Sequence, residues 1–159
     1  MGLGHDRRMS GGPRRRIEKV VAYIVCDGRV AVFTHEDDVS PLLESGLQVP
    51  AGTLEEGESL EQAVLREAVE ETGLTAVRIV RYLGVAEYDM RPYADALHNR
   101  HFFHLTVDHP VPDEWLHIER GGGDDTPRPF RFSWLPISRA HALAAGLGAM
   151  LGRLENPEL

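Results

Sequence analysis

Three glutamates, Glu67, Glu70 and Glu71, stand at spacing i, i+3 and i+4 within the stretch GTLEEGESLEQAVLREAVEETGL, residues 52–74. On a helix, at about 100° per residue, they share roughly 100° of arc on one face. Like charges this close repel and weaken an isolated helix. A glutamate-rich helix is most often a solvated face. Carboxylates grouped this tightly also suit a hard, oxygen-seeking divalent cation such as magnesium or manganese. The residues on either side decide between the two readings.

Those residues are Gly52, Glu58, Arg66-Glu67, Ala68, Glu70-Glu71, Gly73 and Leu74. In order and spacing they resemble the Nudix box of the Nudix hydrolase family. The one soft position is Ala68, small but apolar, and the match covers 23 of 159 residues. So many fixed positions and gaps make the signal specific, unlike a lone glycine motif.

The resemblance implies a mixed β-sheet in an α/β/α sandwich, with the box as loop-helix-loop. It implies that Glu67, Glu70 and Glu71 ligate Mg²⁺ or Mn²⁺, joined by the Gly52 carbonyl. Glu67 would also serve as general base, Arg66 would orient Glu67, and Glu58 would brace the loop by pairing with Arg66. Gly52, Gly57 and Gly73 would permit tight backbone geometry. A further acid from beyond the box is expected: Asp124 or Asp125 first, with Glu119, Glu114 and Asp89 as rivals. The implied activity is hydrolysis of an acid anhydride, a P–O–P linkage in a nucleoside diphosphate derivative or nucleoside triphosphate. Rival readings are a nucleotide-sensing module without turnover, an RNA 5′-end pyrophosphohydrolase and a prenyl diphosphate isomerase. The last would want a cysteine in a cleft, and Cys26 falls inside an expected strand. Positions that separate substrate subfamilies, Met90, Pro92 and Tyr93, give only near misses, so no single nucleotide is named.

His98, His101 and His104 invite a zinc reading. Faces alternate along a strand, so His101 points away from the other two, and the trio is split. Arg100 and some of these histidines, His104 among them, are instead candidates to face a substrate. Tyr88, Tyr93, Trp115, Phe102 and Phe103 are candidates to stack on a nucleobase, against the plainer reading that they pack in the core. No GxSxG elbow or GxxxxGK[ST] loop occurs, so acyl hydrolysis and P-loop chemistry have no support.

The formal net charge is −8, and residues 52–74 carry seven glutamates against one arginine. Most of the acidity is therefore local, and a polyanionic substrate needs bound cations to approach it. Nonspecific nucleic-acid binding is disfavoured. No apolar run approaches the ~20 residues of a membrane span. The single cysteine cannot form an internal disulfide, which suits a reducing, cytoplasmic location. Residues 1–16, with five arginines, read as a flexible arm and residues 17–159 as one domain. The family resemblance leaves a homodimer open.

The elements that must position the acids follow. Residues 20–26 and 29–35 are β-rich runs around Asp27-Gly28, a type I′ hairpin signal. Residues 47–49 read as a short strand and 52–58 as a loop. Ser59 and Gln62 form a capping box, and Gly73 suits a left-handed C-cap. Val64, Leu65, Ala68, Val69 and Thr72 form the buried stripe, with Glu71 at its border. Further strands are expected at 75–87, with a bulge at Gly84, and at 98–107, 115–119 and 130–135. A second helix is expected at 138–154.

Overall fold

The computed structural model describes residues 14–35, 46–119 and 127–155. Strand β1 (Arg15–Cys26) turns at Asp27 and Gly28 into β2 (Arg29–His35). Both turn residues have positive φ, 50° and 72°, as a type I′ turn requires. A short strand β3 (Ala51–Thr53) precedes helix α1 (Leu60–Thr72). Then come β4 (Val77–Asp89), β5 (Ala96–Val107), β6 (Glu114–Glu119) and β7 (Arg128–Pro136). A 3₁₀ helix (Ile137–Ala142) and a short helix α2 (Gly152–Glu155) complete the described chain.

The strands form one mixed sheet in the order β4-β5-β1-β2-β7-β6, with β3 added beside β1. β1 and β5 run parallel, and the other pairs are antiparallel. The β4–β5 register slips between Tyr82 and Gly84, where the bulge was expected, and also between Ile79 and Arg81.

Alternation along β1 divides the core. Val20, Ala22 and Ile24 face α1 and meet its Ala63, Val64 and Ala68. Val21 and Tyr23 face the C-terminal segment and meet Ala140, Leu143 and Leu147. The sheet is thus covered on both faces, as the α/β/α expectation holds. Cys26 packs at the edge of the α1-side core.

Four expectations need correction. The strand expected at 47–49 is reduced to isolated bridges from Leu47 and Gln48, and the strand there is β3, which pairs with Lys19–Val21 of β1. Val69 is exposed, and Ala63 takes its place in the stripe. The first strand opens at Arg15, so the last residues of the expected arm belong to the sheet. Arg14 is tied to Asp89 at 2.6 Å and to Asp95 at 3.1 Å, while residues 1–13 lie outside the described residues.

Finally, there is no helix through 138–154. Leu143 is extended, and Ala145 and Gly146 have φ of 54° and 73°. The segment holds three glycines, at 146, 148 and 152, each costing about 1 kcal/mol in a helix interior. Its carbonyls are claimed from elsewhere: Tyr23 Oη donates to the Leu147 oxygen and Arg100 to the Ala145 oxygen.

Candidate active site

α1 begins where Ser59 Oγ accepts from the Gln62 amide while the Gln62 side chain accepts from the Ser59 amide. It ends at Gly73, whose φ is 72°. These caps fix the helix in register, so that Glu71 points into the protein with only 8% of its surface exposed. Its Oε2 accepts the Ala51 amide at 3.0 Å. Burial, followed by the charges of Glu67 and Glu119, pushes the Glu71 carboxyl well above the usual carboxylate range.

Glu67 lies one turn earlier. Burial raises its pKa as well; Arg66 opposes this, and Glu70 and Glu119 add to it. An ideal Cβ on Gly52 would fall 1.9 Å from the Glu67 carboxyl carbon. Only glycine leaves room at position 52 for that side chain.

Arg66 ties loop to helix. It donates to both Glu58 oxygens, at 2.7 and 2.9 Å, to Glu67 Oε1 at 2.7 Å and to the Thr53 carbonyl at 3.1 Å. Its hydrogen bonds hold the Glu58 carboxyl down at about 2. Glu58 in turn accepts the Glu55 amide. Gly57, at φ 77°, lets the loop turn back toward the helix. Glu70 is half-exposed and reaches the same guanidinium at 3.4 Å.

Glu67, Glu71 and Gly52 line a cleft of about 450 Å³, and Glu119 lines it too. Glu119 is pushed up by burial, with Arg128 opposing. Glu70 does not line the cleft. Among the described residues, no three His, Cys, Asp or Glu side chains are arranged to hold a metal ion as they stand. Arg66 occupies one oxygen of Glu67, and the Ala51 amide occupies one of Glu71.

The rest of the cleft lining differs in character. Lys19, Arg100, Arg128 and His98 contribute positive or polar groups, and Phe33, His35 and Phe130 an aromatic wall. Phe33 and Phe130 are 4.7 Å apart between ring centres, and His35 meets Phe130 edge-on at 4.9 Å.

Of the substrate contacts expected outside the box, Arg100 lines the cleft, and Tyr88 lies beneath it with its ring 4.0 Å from the guanidinium. Tyr93 is exposed and His104 half-buried, and neither lines the cleft; the histidine that does is His98. Trp115 stacks on Phe132 and donates to the Thr72 carbonyl, while Phe102 and Phe103 are fully buried. These three are core residues, because each meets an apolar face before it could meet a nucleobase. Of the acids beyond the box, Glu119 reaches the cleft, Glu114 is exposed on β6, and Asp89 is taken by Arg14 and Arg91. Asp124 and Asp125 lie outside the described residues.

Lys19, Arg128, Phe33, His35 and Phe130 went unforeseen. Only the register of β1, β2, β5 and β7 brings them together. A trace of the signal was a lone lysine directly before the apolar run of β1.

No helix among the described residues is long and apolar enough to cross a membrane. A comparison with curated proteins gives no match. Solved structures of the same fold include a UDP-X diphosphatase, 16% identical with TM-score 0.62, covering 96% of this chain and 68% of that one. The MutT protein from Methanosarcina mazei Go1 is 18% identical with TM-score 0.68, covering 93% and 99%. The C. elegans Ap4A hydrolase is 15% identical with TM-score 0.59, covering 90% and 98%. The model of the NUDIX domain matches residues 16–151, nearly the whole described fold and every position of the box, and this chain therefore belongs to the Nudix hydrolase family.

Proposed function

We propose that the chain hydrolyses a diphosphate linkage in a nucleoside diphosphate derivative or nucleoside triphosphate, with a divalent metal as cofactor. One observation carries this reading: the buried Glu71 and the largely buried Glu67 line a cleft that also bears cations and aromatic rings. Like-charged acids held out of water need a compensating charge. The donor chemistry suits magnesium or manganese, since Glu67, Glu70, Glu71 and the Gly52 carbonyl offer oxygen alone. When bound, such an ion neutralises phosphate charge and lowers the pKa of water.

Glu67 is the proposed general base, its pKa raised toward the working range by burial. Arg66 is the proposed positioning residue, holding Glu67 on one side and Glu58 on the other. Glu119 is the proposed acid from beyond the box, because it shares the cleft with Glu67 and Glu71. His35, partly exposed in the cleft and backed by the buried Phe33 and Phe130, suits contact with a nucleobase. A small nucleotide is the proposed partner and the cytoplasm the proposed compartment. A diphosphatase and an Ap4A hydrolase among the structures of this fold are in keeping with the bond class.

The test is magnesium-dependent release of phosphate products from a panel of nucleotides and a 5′-triphosphate RNA, for wild type and Glu67→Gln. General-base catalysis contributes about 10²–10⁴-fold, so the variant should lose at least 10²-fold in kcat with its circular dichroism unchanged. Turnover by the variant at the wild-type rate sinks the assignment.

A further inference from the structure

Among the described residues Glu71 is the one buried acid, and it forms no ion pair there. The guanidinium of Arg66 pairs instead with Glu58, Glu67 and Glu70. Burial pushes the Glu71 carboxyl up first, and Glu67 and Glu119 add to it; the Ala51 amide and the charge of Lys19 oppose them. Lys19 lines the same cleft as Glu67 and Glu71. Its ammonium donates to Thr53 Oγ1 at 2.8 Å and acts on the two acids through its charge. Burial lowers the Lys19 pKa and Arg100 adds to this, against Glu67 and Glu71.

Strand β3 arranges these groups. Its Thr53, Gly52 and Ala51 stand opposite Lys19, Val20 and Val21 of β1. Ala51 gives its amide to Glu71, and Gly52 abuts the Glu67 carboxyl. Thr53 accepts Lys19 on its hydroxyl and Arg66 on its carbonyl. One strand of three residues thus holds two acids and two cations, each at its own atom. Acids withdrawn from water need a compensating charge, and here one is built into the chain. The same positive charge repels any cation that approaches those acids.

We propose that Lys19 is the internal counter-ion of Glu67 and Glu71 and holds down the affinity of the cleft for divalent cations. This rests on the reading of these acids as metal ligands, and it adds a control on that site. The metal concentration at which the cleft fills is set by a residue of β1, outside the box.

The test is manganese binding to the full-length protein, followed by loss of the free Mn²⁺ paramagnetic resonance signal, for wild type, Lys19→Met and Lys19→Arg. Removing one unit charge beside the acids should tighten binding by about tenfold. Lys19→Arg keeps the charge and should bind as wild type does. A lysine that only shapes the cleft predicts the reverse, since disturbing the acids weakens binding. Manganese should also raise the Tm of Lys19→Met by more than that of wild type, because tighter binding to the folded state stabilises it more at one concentration. Lys19→Gln repeats both measurements should the methionine variant fail to fold. Equal or weaker binding by the neutral variants, or equal tightening in Lys19→Arg, overturns the proposal. No manganese uptake by wild type sinks the metal reading and this proposal with it, whereas equal uptake by wild type and Lys19→Met sinks the counter-ion alone.

Discussion

The carboxyl of Glu67 occupies the space that a side chain on Gly52 would need, with 1.9 Å between its carbon and the nearest Cβ position. Strand β3, which opens the box, and the helix within it therefore meet with no atom to spare at this one point. Gly52→Ala should push the Glu67 carboxyl aside rather than unfold the chain, because the obstructed group is the end of a flexible side chain. A displacement of about 1 Å at a reacting group can cost ~10²-fold in rate. We expect kcat to fall by about that factor with the melting temperature nearly unchanged, checked by steady-state kinetics beside thermal unfolding.

Arg66 makes a second prediction, in pH. Glu58 is held at about 2 by the guanidinium, below its ordinary 4.5. A depressed acid stabilises the fold above pH 4.5, and that contribution is lost as pH falls toward 2. Arg66→Met should remove this part of the acid dependence and lower Tm by a few degrees at neutral pH. Thermal melts between pH 2 and 7 measure both. An unchanged acid limb in the variant contradicts the role given to the pair.

His98 should act in the pH window just above. Burial first, then Lys19 and Arg100, lower its pKa from 6.5 to about 4. Between these values the unfolded chain binds the proton and the folded chain does not, so acidification through this window costs stability. His98→Gln should flatten the stability curve between pH 6.5 and 4. Urea midpoints at half-unit pH steps provide the measurement.

A fourth test concerns the helix end. A Cβ at Gly73 would lie 2.5 Å from His117 Nδ1, in a backbone conformation with φ 72°. Gly73→Ala should destabilise the fold by about 1–2 kcal/mol for the left-handed conformation, and further by the clash with His117. His117→Ala in the same chain should recover only the clash. A double-mutant cycle separates these two contributions.

What the sequence made legible was local. The Ser59 and Gln62 caps, the Asp27-Gly28 turn and the Gly73 stop act within a few residues, and the structure places all three as expected. The Arg66–Glu58 brace was implied by the family pattern, and it is present. Lys19, Phe33 and Phe130 were not legible, because each joins the cleft through strand register and not through its own neighbours. The expected helix at 138–154 failed for a related reason. Two of its carbonyls are taken by Tyr23 and Arg100, residues remote in sequence, and local propensity cannot foresee that competition.

The parallel pairing of β1 with β5 has a consequence in time. During synthesis the first strand must wait for a partner made about eighty residues later, since Glu18 and Asn99 are 81 positions apart. Tyr23 must wait longer still, 124 positions, for the Leu147 carbonyl. Contacts so distant close slowly and late. Until the residues around Leu147 have been made, the second face of the sheet therefore lacks its cover, and that side of the core closes only after the whole stretch from Tyr23 to Leu147 has been synthesised.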